Sequence, residues 1–271
     1  MNTRLLLVGC GKMGSAMLEG WLAQGLVASN VYIVEQPEAA EKLQTSYGIN
    51  GITDVKDVPK DFSPQVVLFA VKPQVLPDVI DAYKPLARAE TVFLSVAAGK
   101  TIEFFTSHLG ENARIVRAMP NTPAAVSRGM TVMCPTENVS IAQCNMCETL
   151  LKTVGLVSWV EDESLMDAVT ALSGSGPAYI FHLVEAMAQA GETAGLPGEH
   201  AMLLARQTVV GAGFLLDSSE ETAETLRQNV TSPGGTTAAA LNVLMDQKSG
   251  LPELMTRAVE AARKRSVELA G

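Results

Sequence analysis

The sequence is short of three features that mark particular protein classes: basic residues, aromatic side chains and long uncharged apolar runs. Its 271 residues carry 20 Lys and Arg against 29 Asp and Glu, a formal net charge of −9. This balance argues against a nucleic-acid partner and against an acidic membrane surface, because both require a basic face. No stretch of about 20 residues lacks charged or strongly polar side chains, so the sequence predicts no membrane span.

Cysteine is also scarce. The four cysteines are Cys10, Cys134, Cys144 and Cys147. The opening residues show no signal-peptide pattern, so we expect reduced thiols and a cytoplasmic protein. Cys144 and Cys147 form a CxxC within a helical pattern, and no second ligand pair accompanies them, so we expect no metal site.

Two halves of the chain differ in hydrophobic pattern. Seven short apolar runs occupy residues 5–8, 31–34, 66–71, 92–96, 115–119, 131–134 and 157–160. Their continuous character and the helical spacing between them predict an α/β class: an N-terminal Rossmann-like, mostly parallel sheet over residues 1–161. Residues 162–271 show helical spacing throughout, at 165–172, 178–194, 201–216, 236–245 and 253–269, and predict an all-helical domain. Five apolar helices bury their surface poorly alone, so we expect a homo-oligomer through this half.

A glycine-rich segment follows the first apolar run directly. Its residues are Gly9, Cys10, Gly11, Lys12, Met13 and Gly14. In this GxGxxG pattern the first glycine permits a tight turn, the second lets backbone approach a pyrophosphate, and the third lets the following helix pack on the sheet. The pattern predicts a dinucleotide site at the helix N-terminus. The alternative is a tight turn that binds no ligand.

The second apolar run ends at Glu35, about 20 residues after the last glycine. An acidic side chain at this place binds the ribose 2′-hydroxyl and favours NADH over NADPH. No Lys or Arg follows closely to bind a 2′-phosphate, but Gln36 or backbone amides are able to do so. The cofactor preference therefore stays open, as does the alternative that Glu35 is simply solvated.

Residues at the carboxyl ends of the later strands form the expected rim of a ligand crevice. These residues are Ala70, Val71, Lys72, Pro73, Ala97, Ala98 and Asn121. Small residues after the 92–96 run let a flat nicotinamide lie against backbone, Asn121 can bind its carboxamide or the substrate, and Lys72 can reach a ribose or phosphate. The alternatives are that the prolines simply end strands and that Lys72 is solvated.

Several motifs occur in a fixed order along the chain: GCGKMG, AVKPQ, SVAAG, RAMPNTP, LSGSGPAY and VTSPGGTT. Together they resemble the pyrroline-5-carboxylate reductase family over essentially the whole chain, and SPGGTT is the most specific of them. The resemblance implies hydride transfer from NADPH or NADH to the C=N bond of 1-pyrroline-5-carboxylate, giving L-proline. It also implies a helical C-terminal domain for substrate binding and dimerisation, in interlocked dimers that assemble further, commonly to decamers.

The resemblance further implies roles for individual residues. The substrate-binding set is Ser232, Gly234, Gly235, Thr236, Thr237, Glu163, Glu220 and Asn121. Within it, Ser232 and the backbone from Gly234 correspond to a carboxylate pocket, and Thr237 corresponds to the catalytic residue that hydrogen-bonds the ring nitrogen. Glu163 and Glu220 match acidic positions near substrate and cofactor.

Two features of the residues themselves agree with an imine substrate. Ser232 is a good N-cap and Pro233 suits a first helical position, so the following amides would face an anion at the positive helix end. No lysine lies between Lys152 and Lys248 to protonate the alkoxide that a small hydroxyacid dehydrogenase forms. An imine needs no such acid. A reductase for another cyclic imine, a hydroxyacid enzyme and a non-catalytic nucleotide sensor are the competing hypotheses.

Overall fold

The computed structural model describes residues 2–270, which divide into two compact units. The first unit comprises the chain up to Gly174 together with the end of the last helix from Arg263, and the second is Ser175–Ala262. The chain therefore leaves the first unit later than the predicted boundary at residues 161–162, and it returns there at its end. The functional assignment of two domains, 1–161 and 162–271, stays a prediction.

The first unit is built on one eight-stranded sheet. Its strands are β1 (Leu5–Val8), β2 (Val31–Val34), β3 (Asn50–Ile52), β4 (Val66–Phe69), β5 (Val92–Ser95), β6 (Arg114–Met119), β7 (Gly129–Pro135) and β8 (Gly155–Trp159). They lie in the order β3-β2-β1-β4-β5-β6-β7-β8, and all pairs are parallel except β6–β7. The predicted Rossmann-like, mostly parallel sheet is confirmed.

Helices cover this sheet and build the second unit. They are α1 (Lys12–Ala23), α2 (Pro37–Tyr47), α3 (Leu76–Val79), α4 (Ile102–Leu109), α5 (Ile141–Lys152), α6 (Met166–Val169), α7 (Gly176–Thr193), α8 (Gly198–Ser218), α9 (Ala223–Asn229), α10 (Thr236–Leu244) and α11 (Leu251–Ala270). A π-helical turn, Thr170–Gly174, follows α6 and overlaps the end of the helix predicted over residues 165–172.

The continuous apolar runs become strands that are buried on both faces. Every residue of β1, β4 and β5 is buried, and each strand contributes to two apolar clusters on opposite sides of the sheet. Alternate side chains of a strand point to opposite faces, so uninterrupted apolar sequence is what a sheet covered on both sides requires. The short edge strand β3 and the seven-residue helix α9 are absent from the prediction, because neither carries a run long enough to show periodicity.

The second unit consists of helices, and α7 and α8 pack against each other within it. Its buried apolar side chains, within the described residues, are all small: Ala188, Ala201 and Ala205. No helix in residues 2–270 combines the length and the apolar character needed to cross a lipid bilayer.

Candidate active site

The glycine-rich turn sits where the strand order reverses. Strand β1 lies between β2 and β4, so the chain builds the sheet on one side of β1 first and on the other side later. The crevice at such a reversal is where open α/β sheets bind ligands. Gly9 has φ +82°, and a Cβ there would lie 2.6 Å from Val71 Cγ1. A Cβ on Gly14 would lie 2.9 Å from the Gly9 carbonyl oxygen and 3.5 Å from Ala70 Cβ. Both glycines are therefore required by packing between β1, α1 and the end of β4.

Gly11 differs from these two glycines. A Cβ at Gly11 would meet none of the described atoms within 4 Å, so the space above this residue is open. Gly11 is the N-cap of α1, and the first intrahelical bond runs from the Ser15 amide to the Gly11 oxygen at 2.8 Å. The amides of Lys12, Met13 and Gly14 thus precede the helical ladder and face the open space with the positive end of the helix dipole. This arrangement fits a pyrophosphate.

Glu35 lies at the end of β2, and its carboxylate is tied to the glycine turn. Glu35 Oε2 accepts a hydrogen bond from the Cys10 amide at 2.7 Å, and Oε1 accepts one from the Gln36 amide at 2.9 Å. The negative charge is thereby fixed beside the turn. Burial raises the pKa of the Cys10 thiol, its hydrogen bond with Ser15 lowers the pKa by less, and the charge of Glu35 adds to the rise. Cys10 is therefore a neutral side chain in this site.

The remaining rim residues of the first unit end neighbouring strands. Ala70 and Val71 touch the glycine turn, whereas Lys72 is exposed and Pro73 is half-buried. Ala97 is buried, with its amide donating to Ser95 Oγ at 3.2 Å, and Ala98 is exposed. Because β1, β4 and β5 are adjacent and parallel, these residues share one edge of the sheet with the glycine turn.

Asn121 follows β6 and is held by structural contacts at both ends of its amide. Its Nδ2 donates to the Ser173 carbonyl oxygen at 3.2 Å, and its Oδ1 accepts from the Met130 amide at 2.8 Å. Ser173 lies in the π-helical turn, a form that is rare and concentrated at functional sites. Asn121 thus fixes this turn to the start of β7, and contact with nicotinamide or substrate stays a prediction.

Glu163 has contacts that the sequence did not suggest. Its Oε1 accepts from Arg117 Nη1 at 2.7 Å and from the Ile102 amide at 2.8 Å. The Arg117 side chain is 6% exposed and the Glu163 side chain 28%. The ion pair is therefore mostly shielded from water and belongs to the first unit, and a substrate role for Glu163 stays a prediction.

The SPGGTT segment lies in the second unit, and its prediction as a capped helix start is wrong. Helix α10 begins at Thr236 with Gly235 as N-cap, and among the described atoms no side chain caps it. Ser232 instead starts a turn, since its carbonyl oxygen accepts from the Gly235 amide at 3.1 Å. Pro233 and Gly234, with φ +70° at the glycine, match the residue preferences of a type II turn. The turn shifts the start of the helix to Thr236, so the N-cap position falls on Gly235 and not on Ser232.

The turn changes which backbone amides at the start of α10 lie before the first intrahelical hydrogen bond. The Gly235 amide is used in the turn, and the first ladder bond runs from Ala239 to the Gly235 oxygen at 3.1 Å. The amides at the positive helix end are therefore those of Thr236, Thr237 and Ala238. Thr237 is half-buried and Thr236 is exposed.

A cavity of about 380 Å³ lies along the side of α10, next to the end of α9. It is lined by Arg227, Thr231, Ala238, Leu241, Asn242 and Met245. Arg227 is the cation of this set, and its guanidinium contacts Met245 Sδ at 3.2 Å and Glu224 Oε1 at 3.6 Å. Arg227 is absent from the sequence-based prediction, because it lies on α9, a helix that periodicity does not reveal. Glu220 is exposed in the connection between α8 and α9.

Two family models match the chain. A model described as pyrroline-5-carboxylate reductase dimerisation matches residues 163–269, and one described as NADP oxidoreductase coenzyme F420-dependent matches residues 4–99. The pyrroline-5-carboxylate reductase of Pseudomonas aeruginosa is 38% identical over 268 residues, which cover 98% of this chain and 97% of the relative. The Pisum sativum enzyme of the same name is 37% identical over 263 residues, covering 97% and 94%.

Solved structures agree with these matches. A pyrroline-5-carboxylate reductase from Coxiella burnetii shares 35% identity and superposes with a TM-score of 0.93 over 100% of both chains. A Plasmodium falciparum pyrroline carboxylate reductase with NADP bound shares 27% identity, with a TM-score of 0.81 over 100% of this chain and 99% of the other. The resemblance in the motifs thus extends over the whole length, and the chain belongs to the pyrroline-5-carboxylate reductase family.

Proposed function

We propose that this protein is an NAD(P)H-dependent reductase that converts 1-pyrroline-5-carboxylate to L-proline, the last step of proline biosynthesis. The observation that supports the proposal is that two family motifs each lie at a helix N-terminus: GCGKMG at α1, with open space above Gly11, and SPGGTT at α10, behind a turn. One suits a pyrophosphate and the other a carboxylate. The bound nicotinamide supplies the hydride, and the chain binds, orients and shields the reacting groups.

The cofactor-binding residues we propose are the glycine turn with the rim. The amides of Lys12, Met13 and Gly14 bind the pyrophosphate, and Ala97, Ala98 and Asn121 lie along the nicotinamide. Glu35 and Gln36 meet the adenine ribose. Because the Glu35 charge is fixed by the Cys10 and Gln36 amides, it opposes a 2′-phosphate and favours NADH.

The substrate-binding residues we propose lie around the start of α10. The amides of Thr236 and Thr237 bind the carboxylate, and the turn of Ser232, Gly234 and Gly235 presents them. The Thr237 hydroxyl binds the ring nitrogen as the one catalytic group. A protonated imine is already activated, so positioning and one hydrogen bond suffice for hydride transfer. Glu220 completes this set, whereas Glu163, the other acidic residue that the resemblance implies, is held by Arg117 and the Ile102 amide and is not assigned a substrate contact.

We propose that the protein works as a homodimer through its helical part, with assembly to a decamer and a cytoplasmic location as further expectations. Large apolar side chains exposed on the second unit support an association between copies. The dimerisation model over residues 163–269 supports the same interface.

A direct assay tests the reaction. Purified protein should oxidise NADH or NADPH with 1-pyrroline-5-carboxylate and form proline. It should reduce 2-oxoacids and other cyclic imines at rates at least about a hundredfold lower. Equal rates with an oxoacid would refute the imine assignment. If no imine leads to oxidation of NADH or NADPH, the competing hypothesis of a non-catalytic nucleotide sensor would be favoured.

Two matched variant pairs test the residue roles. Thr237→Val removes the hydroxyl at constant shape and should lower kcat about a hundredfold, whereas Thr237→Ser should stay within about tenfold of the wild type. Glu35→Gln removes the charge and should raise the ratio of kcat/KM for NADPH over NADH by about tenfold. An unchanged ratio would remove Glu35 from cofactor selection.

A further inference from the structure

A row of three buried side chains crosses neighbouring strands of the sheet. In the strand register Ser95 of β5 faces Arg117 of β6, and Arg117 faces Cys134 of β7. All three residues are buried. Burial raises the pKa of the Cys134 thiol to about 11, and the charge of Glu163 adds to the rise. The sheet therefore holds a buried guanidinium whose charge must be neutralised nearby.

The Glu163 carboxylate neutralises this charge, and the same oxygen atom also accepts a hydrogen bond from the start of a helix. Its Oε1 accepts both from Arg117 Nη1 and from the amide of Ile102, the first residue of α4. The first amides of a helix lack intrahelical partners, and an anion there is stabilised by the helix dipole. Thr101 Oγ1 caps the Phe104 amide at 3.2 Å. Glu163 is thus a second cap for α4, contributed from 61 residues along the chain.

The loop of residues 96–101 lies between β5 and this capped helix. Its beginning is held by the Ala97 amide, which donates to Ser95 Oγ. Gly99 in its middle is buried with φ +73°, and a Cβ there would lie 3.2 Å from the Leu269 carbonyl oxygen. Its end is held at Ile102 by Glu163. The loop is therefore held by hydrogen bonds at its start and end and packs closely against Leu269 in its middle.

We infer that Glu163 is a positioning residue: held by Arg117, its carboxylate fixes the first turn of α4 and, through it, the loop of residues 96–101 along the nicotinamide. The inference rests on the proposed cofactor role of Ala97 and Ala98, and it replaces the substrate contact that the family resemblance implies for Glu163. Glu163 Oε1 is held by both groups, so the carboxylate is fixed against the start of α4 and acts on the cofactor site through the loop.

Two double variants separate this role from the alternatives. Arg117→Met/Glu163→Gln and Arg117→Met/Glu163→Met both remove the ion pair and both avoid an unpaired buried charge. They differ in one property, since Gln keeps an oxygen that can accept from the Ile102 amide and Met does not. Steady-state kinetics with 1-pyrroline-5-carboxylate and with NADH or NADPH, and hydrogen exchange of peptides covering residues 96–105, are measured for both.

The Gln variant should keep kcat and both KM values within about threefold of the wild type, with normal exchange protection of the loop and first turn. The Met variant should exchange faster in this segment and lose about tenfold in kcat, the size expected for a small misplacement of a reacting group. Its KM for 1-pyrroline-5-carboxylate should stay unchanged, because no substrate contact is removed.

Equal exchange and equal kcat in the two variants would overturn the inference. A rise of about tenfold or more in the substrate KM of the Gln variant, with loop protection intact, would also overturn it, since the carboxylate would then bind substrate. If the wild type fails to reduce 1-pyrroline-5-carboxylate, the proposed function fails on its own. The exchange comparison still decides whether Glu163 holds the loop.

Discussion

The two compact units bury their apolar side chains to very different extents. In the first unit the strands β1, β4 and β5 and large side chains such as Trp21, Phe69 and Phe93 are fully buried. In the second, the buried apolar residues of the described chain are three alanines, while Phe181 and Phe214 are 63% and 61% exposed. One unit has a core of its own, and the other presents its large side chains to solvent in the single chain.

This difference follows from architecture. A parallel sheet covered on both faces buries continuous apolar runs within one chain. Helices with broad apolar surfaces bury that surface only when other elements pack on them, and monomers rarely leave large apolar patches exposed. The exposed apolar surface of the second unit therefore supports the proposed association between copies, in line with the dimerisation model that matches residues 163–269.

The largest expected effect comes from charging an exposed aromatic residue of the second unit. Phe214→Glu puts a carboxylate on helix α8 where we expect contact with another copy. Truncating or charging a central aromatic anchor typically costs several kcal/mol, so assembly should weaken about a thousandfold. Light scattering after size exclusion measures the change as a shift towards monomer.

Val126→Glu is the matched control. Val126 is 71% exposed, more than Phe214, but belongs to the first unit. This variant should assemble like the wild type. Dissociation of both variants, or of neither, would contradict the contrast between the units.

The second effect tests the buried charge of the first unit. Glu163→Gln alone leaves Arg117 buried without its counter-ion and should lower the free energy of unfolding by about 3 kcal/mol. Adding Arg117→Met should restore most of that loss. Chemical denaturation measures both steps, and a single variant as stable as the wild type would show that the ion pair does not hold β6 and α4 together.

The third effect distinguishes two glycines of the same turn. Gly9→Ala forces a positive φ and a contact with Val71, and should cost about 2 kcal/mol of stability. Gly11→Ala enters open space and should leave stability unchanged, while cofactor affinity falls about tenfold because backbone approach is blocked. Thermal melting and cofactor titration separate the two outcomes, and a stable Gly9→Ala variant would contradict the packing role.

These glycines also show what sequence alone can predict. The strand-turn-helix order and the roles of Gly9, Gly11 and Gly14 follow from pattern, because period and glycine spacing are local properties. The bond between Glu35 and the Cys10 amide, the pairing of Arg117 with Glu163 and the turn that occupies Ser232 did not follow. Each joins groups whose proximity depends on the folded backbone, 25 and 46 residues apart in the first two cases.

The smallest expected effect concerns the stability of the first unit, which should hardly change when assembly is lost. Cys147 on α5 is fully buried, and burial raises its pKa. Reaction with a thiol reagent therefore requires the first unit to open. If that unit is stabilised by its own core, Phe214→Glu should change Cys147 labelling by less than about threefold.

Trp21→Ala is the positive control, because it should destabilise the first unit directly. It removes a fully buried ring whose Nε1 donates to the Leu150 carbonyl oxygen at 2.8 Å, and should speed Cys147 labelling at least about a hundredfold. Mass spectrometry of the labelled peptide measures both rates under native conditions. If Phe214→Glu speeds Cys147 labelling as much as Trp21→Ala does, the first unit also depends on assembly. The two units would then differ in the exposure of their apolar side chains and not in their stability.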